Sequence, residues 1–222
     1  MSWKELFEYS PITAVLERIF YFLQFTSLTN LLFKTRTRAQ SGLESEAEFR
    51  KITKKRGRNI ELFIIIYSLL VIALFFMASS FKCIYLNIIL LALSIYRISD
   101  ILTYAINMNI FDRIRMGERK HYISGITRTL VLCIINYFEL ILYFGIIYSL
   151  NIDALKGASS IFDAFYFSFV TQLTMSYGEI YPLNINKLVS IIQGSIGFIF
   201  SIIIIARFVS LLPKFETVQK DG

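Results

Sequence analysis

From Phe162 to Pro182 the chain reads FDAFYFSFVTQLTMSYGEIYP, and this stretch decides the fold. It is too long for a tight turn and too interrupted by polar residues for a membrane span. Its first half has the pattern of a short helix, with Asp163 placed to satisfy and balance the amino terminus. The second half, Thr174-Met175-Ser176-Tyr177-Gly178-Glu179, does not extend that helix easily, because Gly178 and Pro182 punctuate it. Extended backbone is tolerated at membrane depth only where protein buries it or water reaches it. A re-entrant loop lining an aqueous path meets that condition. A helix entering in this way presents its carboxyl end, with roughly half a negative charge, to the middle of the membrane. Cations gain there and anions do not, and Glu179 adds acid at the outer mouth.

The flanking sequence supplies the membrane. Of 222 residues, 55% are hydrophobic and 18% charged, against about 25% charged in an ordinary soluble domain. A helical span needs about 20 apolar residues, and four stretches qualify. They run from Ile60 to about Phe81, from about Cys83 to Asn107, from about Leu130 to Leu150, and from Leu188 to Leu212. Lys and Arg collect in cytoplasmic loops. They cluster before the first span (Lys34 to Arg58) and between the second and third (Arg113 to Arg128), which places both termini inside the cell membrane. Cys83 and Cys133 then fall in opposite leaflets and do not pair.

Pro11 to Phe33 is apolar but interrupted by Glu17, Arg18 and Gln24. It reads as an amphipathic helix, either lying on the inner leaflet or packed on its own protein. The resulting division is a cytoplasmic segment (1–58) holding that helix (about 11–33) and a basic linker, a two-span hairpin with a basic cytoplasmic loop (59–128), a pore region (129–213) and a short cytoplasmic tail (214–222). The formal charge of +7 points to lipid, with the run Lys51 to Arg58 beside the anionic inner leaflet, rather than to nucleic acid. No small-molecule substrate and no cofactor is expected. The spans show no His/Asp/Glu metal spacing and no nucleophile with a base, so an enzyme is not expected.

The stretch DAFYFSFVT, Asp163 to Thr171, followed by TMSYG, resembles the pore module of the potassium channel family, over about Thr129 to Pro213. The resemblance implies an all-α integral membrane protein with four transmembrane helices, and a re-entrant pore helix and selectivity filter between spans three and four. It implies a tetrameric cation channel, because each chain has one such loop and a filter needs four. By the same resemblance, the carbonyls of Thr174, Met175, Ser176 and Tyr177 and the Thr174 hydroxyl replace the hydration shell of K+ and possibly Na+, while Gly178 turns the outer end. Tyr177 is expected to brace the filter against Tyr166 and Phe167. Gly194 and Gly197 fall near the family's flexible point, where they act as a hinge or permit close packing.

Three residues depart from the family pattern: Met175, Ser176 where the family has glycine, and Glu179 where it has Asp. The family's glycine is left-handed, a conformation that costs other residues roughly 1–2 kcal/mol. Kept in four subunits, the strain at Ser176 would favour relaxation and sodium permeation. A non-selective cation channel therefore stays open as an alternative, as does a non-conducting scaffold or partner subunit.

Charges inside spans are expensive and need partners. Arg97 and Asp100 share a helix face, Glu139 reaches the middle from the opposite direction and is a second expected partner of Arg97, and Arg207 is expected near Asp100. Structural pairing is the commoner use of such residues and voltage or proton sensing the rarer one.

Overall fold

The computed structural model describes residues 10–27, 46–81, 84–111, 126–210 and 212. Expectations for residues 28–45, Cys83, the loop 112–125 and the tail 214–222 lie outside this set, as do those for the side chains of Lys51 to Gly57. The protein is an all-α membrane protein, and among the described residues three helices are long and apolar enough to cross a bilayer: Ile84–Phe111, Leu130–Leu150 and Ile185–Val209.

Helix α1, Pro11–Thr26, starts with Pro at its first position, where the missing N–H loses no bond. Helix α2, Glu46–Phe81, runs unbroken through residue 58, so the described part of the linker, from residue 46, and the first expected span are one helix. Its apolar part among the described residues is the shorter Glu61–Met77. Helix α3 is Ile84–Ile106 and ends in a π-helical turn, Asn107–Phe111. The outer helix α4, Ile126–Leu150, leads through a 3-10 turn at Ile152–Ala154 to a two-residue strand β1, Leu155–Lys156. The pore helix α5 is Ile161–Gln172, strand β2 is Tyr181–Pro182 and the inner helix α6 is Ile185–Val209.

Helix α1 packs on its own protein along α3. Ser27, just past its end, bonds Asp100, and the carbonyl of Phe20 accepts from Asn107 Nδ2 at 3.2 Å. Seven residues on one helix therefore match seven on the other in opposite direction, so α1 runs antiparallel beside the carboxyl-terminal third of α3. Ala14 is fully buried and the Phe20 ring lies 5.7 Å from that of Phe111, while Ile12, Phe22 and Phe25 face outward. The helix is thus docked through a narrow face and leaves a broad apolar one to its surroundings.

Helix α5 descends antiparallel to α4, as three contacts in order show. A β-carbon on Gly145 would stand 2.4 Å from the Phe165 ring, Ser168 Oγ donates to the Ile141 carbonyl at 2.8 Å, and the Tyr137 hydroxyl donates to the Gln172 carbonyl at 2.9 Å. At 1.5 Å per residue Tyr137 lies about 20 Å below Leu150, which sets the depth at which the pore helix stops. Tyr148, Phe167 and Phe200, all fully buried, belong to the core that joins α4, α5 and α6, whereas the equally buried Tyr143 faces α2, its ring 6.3 Å from that of Tyr67.

Candidate functional site: the re-entrant loop

The loop is anchored at both ends before any ion is considered. At the start of α5, Ser160 Oγ accepts from the Asp163 N–H at 3.3 Å and the Asp163 carboxylate accepts from the Ser160 N–H at 2.8 Å, a reciprocal cap. Asp163 also accepts from the Ser159 N–H at 2.7 Å. The Ser159 and Ser160 backbone donors hold its carboxyl below the usual carboxylate value. Beyond the loop, β2 pairs antiparallel with β1, Leu155 opposite Pro182 and Lys156 opposite Tyr181. The Lys156 ammonium lies 5.4 Å from the Tyr181 ring, and its bond to Tyr181 raises its pKa. Leu183 N–H donates to the Ala154 carbonyl at 2.8 Å, and Asn186 Nδ2 to the Asn151 and Ala154 carbonyls, both at 3.2 Å.

The pore helix stops in a Schellman arrangement. Thr174 N–H donates to the Thr171 carbonyl at 3.1 Å and Met175 N–H to the Val170 carbonyl at 2.9 Å, which satisfies two carbonyls that the helix end would otherwise orphan. This stop requires a left-handed residue between them, and Thr174 supplies it at φ 55°. Gly178 is the other left-handed position of the loop, at φ 60°. Ser176 is not left-handed, so it does not bear the backbone strain that the conformation of the family's glycine would impose on it. The physical reason is the helix stop: it claims the positive φ two residues earlier, and the β-carbon of Ser176 then carries no such strain.

Side chains around the loop divide clearly. Phe167 stacks on Tyr177, with centroids 5.0 Å apart and planes at 27°, and Tyr148 meets Phe167 edge-on at 4.9 Å. The expected bracing of Tyr177 by Tyr166 is not made within one chain: Tyr166 points outward, 52% exposed, because it lies one helical step from the buried face of Ala164, Phe167 and Ser168. Residues 173–176 and Glu179 are exposed, and Met175 is 57% so. Gly157, at φ 86°, lies so close to the Glu179 carbonyl that a β-carbon there would stand 2.5 Å from it, which pins the outer mouth.

The two inner-helix glycines differ. A β-carbon on Gly197 would stand 2.6 Å from the Gln172 carbonyl oxygen, so Gly197 is a close-packing position, whereas one on Gly194 would meet nothing within 4 Å. The helix runs through both without a break.

The intramembrane charges form a second cluster. Arg97, 1% exposed, donates through one guanidinium nitrogen to Asp100 at 2.7 Å and through the other to Glu139 at 2.8 Å. Ser68 Oγ donates to Glu139 at 2.6 Å and Ser27 Oγ to Asp100. The guanidinium carbon lies 5.5 Å from the Phe63 ring centre and 5.6 Å from that of Tyr67. One arginine thus ties α2, α3 and α4 together. Arg207 does not approach Asp100; its Nε donates to Asn109 Oδ1 at 2.8 Å. Asn109, in the π-helical turn that follows α3, lies about 13 Å beyond Asp100 along the chain's helical axis, which is the level that the end of α6 reaches.

The neutral polar residues Asn136 and Gln193 inside the spans escaped the sequence reading, which weighed only charges there. Gln193 is 0% exposed and Asn136 is buried, as are Ser168 and Gln172 on α5. The signal was present: Gln193 sits in the run LVSIIQGSIG, where an amide needs a partner as a charge does.

A family model described as Ion channel matches residues 136–214, a segment that begins within α4 and contains the pore helix, the loop and α6. No curated protein and no solved structure matches the chain.

Proposed function

We propose that the ion channel domain of this membrane protein conducts potassium-type cations passively, as a homotetramer, through the TMSYG loop. The observation that carries this reading is the exposure of the loop in one chain. Residues 173–176 are open although their roots at Phe167, Gln172 and the β1–β2 ladder are buried or paired. Non-helical backbone at membrane depth needs protein or water around it, and further copies about an axis provide both. The exposed Phe162, Tyr166 and Phe169 on α5 then face neighbouring subunits or lipid. In this reading the ions are K+ and Na+, held by the carbonyls of Thr174 to Tyr177, with Gly178 turning the chain and Glu179 concentrating cations outside. Transport rather than catalysis is the role that an ion channel domain implies.

The membrane is the cell membrane, with both termini cytoplasmic, Lys51 to Arg58 beside anionic headgroups, and the apolar face of α1 against the inner leaflet. The N-terminal unit, held to α4 by Arg97, supports the pore domain. Gly194, open to its surroundings, is the better hinge candidate of the two glycines.

A second reading, a non-selective cation pore, is favoured by one observation: the loop places its left-handed residues at Thr174 and Gly178 and not at Ser176. Selectivity by carbonyl coordination depends on the number and placement of those groups, and this backbone differs from the one that a glycine at residue 176 permits.

The test is reconstitution. Purified protein should give a tetrameric mass in detergent and cation flux in liposomes, with the reversal potential under a K+/Na+ gradient reporting selectivity. A monomer or dimer as the sole species, or silent liposomes at tetramer yield, would refute the channel reading and leave a scaffold.

A further inference from the structure

Behind the loop lies a buried polar junction that the chemistry of the filter does not require. Gln193 Nε2, on α6, reaches three oxygens of α5: the Ser168 carbonyl and hydroxyl, both at 2.9 Å, and the Gln172 side-chain oxygen at 3.2 Å. The Ser168 hydroxyl donates onward to the Ile141 carbonyl, and the Tyr137 hydroxyl donates to the Gln172 carbonyl. Outer, pore and inner helices therefore converge on the last turn of α5. From that turn hang the first loop residues, through the bonds of Thr174 to Thr171 and of Met175 to Val170.

The junction is poorly suited to stability alone. Among the described residues, Gln172 Nε2 and Gln193 Oε1 have no hydrogen-bond partner, although both side chains are at most 1% exposed. A buried polar atom left unpaired is destabilising, and apolar side chains of like volume at both positions would avoid that loss. Position is what the amides provide. One helical turn below Gln193, Gly197 lets the Gln172 carbonyl approach to a distance that a methyl group would close off, at 2.6 Å. Gln193 and Gly197 together form a seat that fixes Gln172 in height and rotation.

We infer that Gln193 is a positioning residue for ion selectivity: from the inner helix it holds Gln172, and thereby sets where the carbonyls of Thr174 and Met175 stand. This rests on the channel reading above. Displacing the last turn of α5 moves the loop's root, and coordination by fixed carbonyls discriminates between ions through small changes in placement. The same contact gives α6 a mechanical path to the loop, independent of the Arg97 cluster on the opposite side of α4.

The experiment compares wild type, Gln193→Leu and the double variant Gln172→Leu/Gln193→Leu, in liposomes, with the K+/Na+ permeability ratio taken from reversal potentials. The double variant removes both amides and so leaves neither side-chain amide stranded by loss of the other. The expected result is tetramer yield close to wild type for the double variant and a permeability ratio changed by about fivefold in both, the equivalent of one neutral hydrogen bond. Gln193→Asn, too short to span the gap, should behave as Gln193→Leu does. An unchanged ratio in conducting, assembled variants would overturn the inference while leaving the channel intact. Failure of both variants to assemble would overturn it as well, by assigning the amides to structure. A silent wild type would instead bring down the channel reading, and the inference with it.

Discussion

Replacing Arg97 by Leu removes the cation from a site that holds two carboxylates. Arg97 bonds Asp100 at 2.7 Å and Glu139 at 2.8 Å and is 1% exposed. Truncating one member of a buried ion pair costs about 3–5 kcal/mol, because its partner is stranded rather than because the pair itself is strong. Loss of the guanidinium from above Phe63 and Tyr67 adds about 1 kcal/mol. For a chain of this size each kcal/mol moves the melting temperature by roughly 2–4 °C, so Arg97→Leu should melt at least about 8 °C lower. The assay is retention of the assembled species on size-exclusion chromatography after heating in detergent. Arg97→Lys keeps the charge but lacks the fork that reaches both carboxylates, and should fall between the two. The triple variant Arg97→Leu/Asp100→Asn/Glu139→Gln, which strands no charge, should recover most of the loss. An Arg97→Leu protein that melts as wild type does would show that water reaches the carboxylates, and would refute the reasoning from burial.

Gly197→Ala places a methyl group 2.6 Å from the Gln172 carbonyl oxygen and should lower stability by about 1–3 kcal/mol, while Gly194→Ala, which meets nothing, should leave the melting curve unchanged or slightly raised; equal effects would show that neither contact decides. Ser176→Gly should shift the reversal potential toward potassium, since glycine opens the left-handed conformation that Ser176 does not adopt; an unaltered potential would show that the helix stop at Thr174 governs the loop. Asp163 has a lowered pKa because the N–H groups of Ser159 and Ser160 bond its charged form. Its contribution is therefore complete above the ordinary carboxylate value of about 3.9 and is lost as pH falls through the lowered one. Acid melting below about pH 4 should be less steep in Asp163→Asn; an identical acid limb would place the loss elsewhere.

How much of this protein could be read before folding depends on the range of the interaction concerned. The membrane, the re-entrant helix from Asp163 and its punctuation by Gly178 and Pro182 were legible in residue order, because solvation of an apolar span, helix capping and turn formation act over a few neighbours. The pairing of Arg97 with Asp100 was legible as well, being three residues apart on one helix. The reach of Arg97 to Glu139 was legible from their matching depth in the membrane, whereas the bond of Arg207 to Asn109 rather than Asp100 depends on how α3 and α6 align in height, which no local pattern encodes. That strain turns Ser176 away from the left-handed conformation was legible, but the form the loop takes instead was not. Its backbone is set by where the pore helix ends, and the bonds from Thr174 and Met175 back to Thr171 and Val170 move the left-handed position to Thr174. Tyr166 and Phe167 are adjacent in sequence and equally aromatic, yet the orientation of α5 against α4 turns one out and the other onto Tyr177. The sequence by itself determined the three long apolar helices and where the chain turns back between the last two, since those follow from each residue's own chemistry. Only the tertiary structure decided which polar groups meet inside, because a buried amide such as Gln193 finds its partners twenty-odd residues away, where packing alone brings them within bonding distance.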